Sequence, residues 1–508
     1  MLLFDVYQHG KPAKRLATET ASVLGAEGVP IRAELTFADG TLRCTKRAAG
    51  SVALALPWRA AAAGELLLAT TRLPDSETPY NLNLELARAR IAVMIRKYED
   101  WGLIDYPSAE PLADQFADLR ARFLEAVKLD TTDRPAAASL ADEVLADAVA
   151  LSEQTAVFHA DIFLNRRRRN HRGRPTFGCE INPTQTSCAY QQRLIEAAEF
   201  VNLPTPWKLV EPQEGRTNLD PLDAWAQWAT KHKLPLSAGP LIDFEPDFLP
   251  ERTFIWENDF ESLREVIYDH IKMLVERYAK RVSTWKVISG AHAYNSFNLS
   301  FEQVLELTRM SCSLVRQVAP RSSIVIDLPL PWGEYAASNP RTIPPLVYAD
   351  MCIQSGIRFD AFGLQVFMGA AAEGLHVRDM MQISAKLDDF AAYAKPVHVT
   401  GFGVPSATEA DPADHWEGAA PPARAGSWRS AWSPAVQADW LEMFCRLALS
   451  KPFVATVCWR DLADVDGHYL PHGGLCQADL APKPAHDRLR KFRAAMSRGP
   501  GGASDTGK

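Results

Sequence analysis

The stretch Thr284-Trp-Lys-Val-Ile-Ser-Gly290 is a short apolar segment that ends in a small polar residue and a glycine. Seven other short apolar segments occur between Thr176 and Trp459, and longer amphipathic segments separate several of them. This alternation is typical of parallel strands joined by crossover helices. The predicted strands span residues 176–181, 200–203, 236–241, 284–288, 324–327, 361–365, 397–400 and 454–459.

Eight strand–helix units in about 300 residues predict a closed (β/α)8 TIM barrel of the α/β class, with functional side chains at the carboxyl ends of the strands. Two capping boxes support the helices on either side of the fourth strand. Asn258-x-x-Glu261 predicts the start of the preceding helix, and Ser300-x-x-Gln303 predicts the start of the following one.

The chain before the barrel has a different pattern. Residues 1–75 alternate short apolar runs with turn signals such as Asp39-Gly40, which predicts a small β-rich domain. Residues 76–170 place apolar side chains at helical spacing and predict a helical bridging region to the barrel. The barrel is expected over residues 171–495, and the polar, Gly-rich residues 496–508 predict a disordered tail. The bridging helices are expected at 82–101, 112–129 and 140–164.

Composition excludes several classes of protein. The 508 residues are 47% hydrophobic and carry a formal net charge of -7, so the chain can bury a large core but offers no broad basic surface to nucleic acid or membrane. The only basic run, Arg166 to Arg169, is interpreted as a solvated helix end. Residues 1–10 do not resemble a signal peptide and no segment is long enough to span a membrane, so we expect a cytoplasmic protein.

No metal or cofactor is expected. The eight cysteines are scattered without a Cys-x-x-Cys pair and predict reduced, mostly buried thiols. Asp464-x-Asp466-x-His468 with His472 could be mistaken for a metal site, but we interpret it as a polar loop. The sequence leaves the oligomeric state open.

Several segments together carry a resemblance to a known family. They are Trp207 with Glu211-Pro212-x-x-Gly215, His270-Ile271 with Arg277-Tyr278, Phe359-Asp-Ala-Phe-Gly-Leu-Gln365, Trp459, and the closing Gly474-Leu-Cys-Gln-Ala-Asp-Leu-Ala-Pro-Lys-Pro-Ala485. In this order and spacing, over about residues 177–492, they resemble glycoside hydrolase family 10, the retaining β-xylanase barrels.

The sequence departs from that family at the residues that would cleave a sugar. The family ends its fourth strand in Asn-Glu, where the glutamate is the general acid/base, and this chain has Ser289 and Gly290. The family carries its nucleophile in Thr-Glu-x-Asp on the seventh strand, and this chain reads Thr400-Gly401-Phe402-Gly403. Three further family positions that hold the sugar, a Lys and two His, are Pro206, Pro240 and Phe367.

Other side chains could form a site at the strand ends. Asp327 ends the fifth strand and Asp461 lies two residues after Trp459, so these two are the candidates for a rebuilt carboxylate pair. Aromatic and amide side chains of the kind that bind sugars are equally compatible with barrel packing. These ligand-binding candidates are Trp207, His292, Tyr294, Asn295, Gln365 and Trp459.

Two functions therefore remain open. Retaining hydrolysis needs two carboxylates about 5 to 5.5 Å apart, and glycine supplies neither. The first hypothesis is a pseudo-glycosidase, a glycan-binding or scaffold protein with a carbohydrate or glycoconjugate as its ligand. The alternative is an active O-glycosyl hydrolase on a β-glycan or glycoconjugate that uses a rebuilt site at Asp327 or Asp461.

Overall fold

The amino-terminal strands form two small sheets and a two-stranded ribbon. The protein is described here by a computed structural model that covers residues 1–169, 176–416, 418 and 421–497. The predicted Asp39-Gly40 turn joins two antiparallel strands, and both residues have positive φ, as a tight hairpin turn requires. The strands are β1 (Leu2–Asp5), β2 (Tyr7–Gln8), β3 (Lys11–Pro12), β4 (Ser22–Leu24), β5 (Pro30–Ile31), β6 (Ala33–Ala38), β7 (Thr41–Lys46), β8 (Ala53–Arg59), β9 (Gly64–Ala69) and β10 (Tyr80–Asn81).

Three helices follow, as the apolar spacing predicts. They are α1 (Leu82–Asp100), α2 (Glu110–Leu129) and α3 (Arg134–Arg169). The third begins six residues before the predicted start, because Asp133 caps it through the backbone amide of Ala136. Its core-facing stripe of small residues packs against both α1 and the barrel helix α12 (Pro434–Ser450).

From Phe177 onward the described chain forms a closed barrel of eight parallel strands, so the predicted fold class is confirmed. Each strand pairs with its neighbour, and the first and last strands pair through Phe177 and Val457. The strands of this region are β11 (Phe177–Glu180), β12 (Phe200–Leu203), β13 (Leu236–Ala238), β14 (Ile242–Asp243), β15 (Val282–Ser289), β16 (Ser323–Leu328), β17 (Ala361–Phe367), β18 (Val397–Gly403), β19 (Ser427–Trp428) and β20 (Val454–Trp459).

All but two of these strands form the barrel wall. The exceptions are β14, which extends the path of β13 beside β15, and β19, which lies in the loop after β18. The surrounding helices are α4 (Cys188–Ala197), α5 (Trp207–Val210), α6 (Asp220–Lys231), α7 (Phe260–Tyr278), α8 (Phe301–Val318), α9 (Tyr335–Ser338), α10 (Pro345–Gln354), α11 (Met380–Asp389), α12 and α13 (Pro484–Ser497).

One capping prediction is confirmed and the other is wrong. Ser300 and Gln303 form the predicted reciprocal box at the start of α8. At the start of α7 the cap is Asp259, whose carboxylate accepts from the Ser262 amide at 3.2 Å, and Asn258 lies one residue outside the helix. The prediction failed because Asn and Asp are equally good caps and adjoin each other here.

Some predictions fall on residues outside the described part of the chain. These are the first residues of the expected barrel, 171–175, and most of the expected tail, 498–508. Residues 496 and 497 end α13. Among the described helices, none combines the length and the apolar composition that a bilayer crossing requires.

Backbone hydrogen bonds and buried charged side chains connect the amino-terminal part to the barrel. Strand β19, from a barrel loop, pairs antiparallel with β9. Glu153 on α3 accepts from Trp428 Nε1 at 2.7 Å and from the Met380 amide at 3.1 Å. Arg90 on α1 forms a two-pronged ion pair with Asp379 at the start of α11, and its Nη1 lies 3.0 Å from Asp379 Oδ1.

We predict that Asp379→Asn destabilises the protein by about 3–5 kcal/mol, because the Arg90 guanidinium is left buried without a countercharge. Asparagine can still cap α11, so the loss reports the ion pair rather than the cap. Urea denaturation measures the change. The control is Asp389→Asn, which breaks the half-exposed Lys386–Asp389 pair and should cost less than about 1 kcal/mol. Equal costs for the two variants would contradict the assignment.

Candidate functional site

The two glycines at the ends of the fourth and seventh barrel strands lie against aromatic rings. Gly290 follows β15 with φ of 72°, and a Cβ at this position would lie 2.7 Å from Tyr294 Cδ2. Gly401 lies within β18, and a Cβ there would lie 2.7 Å from Phe367 Cζ. Both separations are shorter than real contacts of a Cβ, so neither position can carry a side chain without moving its ring.

Phe367 belongs to a small apolar cluster at the mouth of the barrel. Its buried members are Phe367, Ala370, Leu375, Tyr469 and Leu470. The ring centroids of Phe367 and Tyr469 are 4.9 Å apart, so the ring that covers Gly401 is itself packed against Tyr469.

Asp327 is buried within the barrel, where it links three neighbouring strands. Its Oδ2 accepts a hydrogen bond from Gln365 Nε2 at 2.6 Å, and its Oδ1 accepts one from the Thr400 hydroxyl. These three residues lie on β16, β17 and β18, and the side chain of Asp327 is 1% exposed. Two of the predicted site residues, Asp327 and Gln365, are therefore in contact with each other.

Asp461 anchors the loop after β20. Its two oxygens accept from the backbone amides of Tyr469 at 2.9 Å and Leu470 at 3.1 Å. Burial raises the pKa of Asp461, although His468, these amides and Arg460 act in the opposite direction. Each candidate for the rebuilt pair thus has both carboxylate oxygens engaged within the protein.

Besides Gln365, four of the predicted ligand-binding side chains are buried against protein neighbours. The Trp207 ring stacks on His270 at 4.6 Å, and the Trp459 indole donates to the Gly473 carbonyl at 3.1 Å. His292 stacks on Tyr348 at 5.1 Å, and burial lowers the pKa of this imidazole to about 3.

Asn295 is the fourth of these buried side chains. Its amide nitrogen donates to the carbonyls of Leu299 and Arg341, and its oxygen accepts from the Leu299 amide. Tyr294 is only half-buried. Burial, followed by the charge of Glu245, raises the pKa of the Tyr294 phenol well above its usual value.

A carboxyl group lies beside Gly290 that the predicted pairing did not include. Strand β14 pairs Asp243 with Ser289, and Asp243 Oδ1 lies 3.5 Å from where a Cβ of residue 290 would be. Burial, together with the charges of Glu245 and Asp327, raises the pKa of Asp243 to about 8. In the sequence, Asp243 lies two residues after the third predicted strand, which ends at Leu241.

A cavity of about 230 Å³ opens beside this mouth. Its walls come from the ends of β11 and β12 and from the loop after β20, and include Asn182, Pro206 and Phe248. Arg460 lies at its edge, with its Nε 3.1 Å from Glu180 Oε1 and its guanidinium 4.8 Å from the centre of the Tyr469 ring. Glu180 also pairs with the buried Lys286, whose Nζ lies 3.3 Å from Glu180 Oε2. The single negative charge of Glu180 is therefore shared between two cations, Arg460 and Lys286.

Comparison with known families agrees with the barrel fold. The sequence model of glycosyl hydrolase family 10 matches residues 170–464, more than half of the chain. The chain belongs to glycosyl hydrolase family 10. A search of curated protein sequences finds no significant match.

Solved structures of family 10 enzymes are similar at low identity. Native xylanase 10B from Thermotoga maritima is 15% identical with a TM-score of 0.47, and the match covers 66% of this chain and 98% of that one. Xylanase B from Clostridium stercorarium is 14% identical with a TM-score of 0.47, covering 64% and 98%. An intracellular xylanase from Thermoanaerobacterium saccharolyticum is 13% identical with a TM-score of 0.46, covering 64% and 97%.

A buried ion pair joins two loops of this family 10 barrel. His468 Nε2 lies 2.9 Å from Asp411 Oδ2, and its Nδ1 lies 2.7 Å from the Val465 carbonyl oxygen. Carbonyls and ionised carboxylates only accept hydrogen bonds, so this geometry requires a proton on each ring nitrogen. Within the described residues, no group of three or more His, Cys, Asp or Glu is placed to hold a metal ion.

We predict that the His468 ion pair stabilises the protein at low pH and is lost at high pH. Burial alone lowers the pKa of His468, but the charge of Asp461, the Val465 carbonyl and other carboxylates outweigh it and raise the pKa. The contribution is therefore complete below about pH 6.5, the unfolded value, and disappears as pH rises through the higher folded value. Thermal unfolding across this window should show a smaller fall for His468→Gln than for wild type. The exposed His232→Gln variant should retain the wild-type fall, and identical curves for all three proteins would refute the prediction.

We predict that Gly401→Ala destabilises the protein by about 1–3 kcal/mol, because the new methyl group overlaps Phe367 Cζ. The cost should shrink in a Phe367→Leu background, which lacks that atom. Gly403→Ala on the same strand is the control, since its methyl group would lie 3.0 Å from the flexible end of Leu470 and at an ordinary contact distance of 3.9 Å from Phe367 Cδ1 and Trp459 Cζ2. A Gly401→Ala cost that is unchanged in the Phe367→Leu background would place the steric conflict elsewhere.

Proposed function

We propose that this family 10 protein binds a carbohydrate or glycoconjugate at the barrel mouth without retaining hydrolysis. The observation that carries the proposal is the Phe367 ring, which stands where a side chain from position 401 would have to extend. The sequence resemblance assigns the nucleophile to that position and the acid/base to position 290. With Tyr294 and Phe367 in the space that those side chains need, the double-displacement route has neither of its two carboxylates.

The binding half of the proposal rests on the family and on the side chains around the mouth. Family 10 barrels bind carbohydrates at this end, and aromatic faces with a few fixed polar groups are the usual features of such a site. The half-buried Tyr294 ring and Arg460 supply these features here, and the adjoining cavity, which Arg460 and Tyr469 line, extends the mouth towards Asn182. A short xylo-oligosaccharide is the natural probe, because the similar solved structures are xylanases.

An active hydrolase remains the alternative, and one observation favours it. Asp327 and Asp461 are held by internal hydrogen bonds, but Asp243 lies beside the position that the resemblance gives to the acid/base. A carboxyl group with a raised pKa can protonate a leaving group at neutral pH. This alternative requires a second carboxylate, or water activated by one, on the other side of the sugar.

We also propose a cytoplasmic location and the division into a β-rich domain at 1–75, a helical bridge at 76–170 and a barrel at 171–495. All eight cysteines are free and seven of them are buried, which suits a reducing compartment. The change from short antiparallel strands to three helices after Asn81 supports the first boundary.

We predict that the purified protein binds xylotriose and releases no product from xylan or aryl β-xylosides. Isothermal titration calorimetry measures the binding, and reducing-sugar and chromophore assays measure turnover, with an active family 10 xylanase in parallel. Gly290→Glu combined with Gly401→Glu should restore no activity and should lower the melting temperature, because both new side chains collide with rings.

The opposite results separate the hypotheses. Turnover by the wild type that disappears in Asp243→Asn would establish the hydrolase with a rebuilt site. Absence of both binding and turnover towards xylo-oligosaccharides, xylan and aryl glycosides would contradict the carbohydrate proposal.

A further inference from the structure

Asp243 occupies a distinctive place in the mouth of the barrel. It ends the two-residue strand β14, whose pairing with Ile288 and Ser289 brings its carboxyl group beside Gly290. Residue 290 is a glycine, and a Cβ built at that position would lie 3.5 Å from Asp243 Oδ1. A carboxyl group that follows the third strand therefore lies beside the position on the fourth where the side chain is missing.

The groups that face Asp243 are mostly acidic. Glu245 lies on its own loop and donates its backbone amide to Asp243 Oδ1 at 3.1 Å, while Asp327 faces it from β16. Arg460, from the loop after β20, is the cation among these neighbours, and it also pairs with Glu180.

Two phenols and an imidazole complete the surroundings. Tyr294 and Tyr469 both border Asp243 and Glu245, and burial raises the pKa of each phenol well above its usual value. They therefore supply no charge at neutral pH. His415 Nε2 lies 3.3 Å from Glu245 Oε1.

Three neighbouring carboxyl groups with one shared cation cannot all ionise cheaply in a buried mouth. Burial first, and then the charge of Glu245, raises the pKa of Asp243 to about 8. Its Oδ1 already accepts from the Glu245 amide, and no donor among the described residues bonds Oδ2. Oδ2 is therefore the oxygen of this carboxyl group that can still bond a ligand.

We propose that Asp243, as a neutral carboxylic acid, donates a hydrogen bond from Oδ2 to an acceptor-only oxygen of the bound carbohydrate, such as the bridging oxygen of a β-glycoside. The inference rests on the proposed carbohydrate binding and deepens it, since it identifies the residue that recognises the glycosidic link. A hydroxyl of the sugar could donate to an ionised carboxylate, whereas a bridging oxygen cannot. Binding is therefore coupled to the proton on Asp243.

The test is the pH dependence of xylotriose binding by the full chain, measured by calorimetry from about pH 6 to about pH 10. The affinity of the wild type should fall by about tenfold per pH unit above the pKa of Asp243, because only the protonated form binds. Asp243→Asn, whose amide keeps a donor at all pH values, should bind with a flat profile. Glu251→Gln, which changes an exposed carboxylate near the same loop, should keep the wild-type profile.

A second measurement needs no variant. The sulfur-linked analogue of xylotriose, in which the bridging oxygens are replaced by a poorer acceptor, should bind the wild type at least about tenfold more weakly at neutral pH and lose the pH dependence. A wild-type affinity that is flat with pH, or an analogue that binds equally well with the same profile, would overturn the role of Asp243 while leaving carbohydrate binding intact. Failure of the wild type to bind either compound at any pH would overturn the proposed function together with this inference.

Discussion

The ring of Phe367 stands in the space into which any side chain from residue 401 would extend, and the organisation of the barrel mouth follows from it. An aromatic ring at the end of β17 must be covered, and Tyr469 and Leu470 cover it. Those two residues are fixed by Asp461, which accepts both of their backbone amides. The loop after β20 thus folds onto the mouth and packs against the apolar Phe367 ring. Asp461 bonds the backbone of this loop and does not face a ligand.

The charged groups of the mouth are arranged around the same constraint. Arg460 lies between the Tyr469 ring and Glu180, so the loop that covers Phe367 also brings a cation to the carboxylates. Asp327 is satisfied by Gln365 and Thr400 within the barrel wall. Asp243 has less compensation, and burial together with the charges of Glu245 and Asp327 raises its pKa to about 8.

Much of the fold could be predicted from the sequence because its signals are local. Apolar runs bounded by turn residues placed the eight barrel strands, and the Ser300 capping box placed a helix start. Strand β19 could not be predicted, because its partner β9 lies more than 350 residues away in the chain and the pairing depends on tertiary contact. For the site, the sequence indicated that Asp327 would lie at a strand end, but its partners come from two other strands. Likewise, an aromatic residue such as Trp459 has the same local pattern whether it packs or binds a ligand.

The central claim is that no nucleophile at the barrel mouth attacks a sugar, and a trapping experiment tests it most directly. An activated fluoroxyloside with a good leaving group converts a retaining enzyme into a stable glycosyl ester, which intact-protein mass spectrometry detects. The protein should keep its unmodified mass after prolonged incubation, while an active family 10 xylanase under the same conditions gains the mass of one glycosyl group. A glycosyl adduct on this protein, located by peptide mapping to a carboxylate of the mouth, would contradict the account.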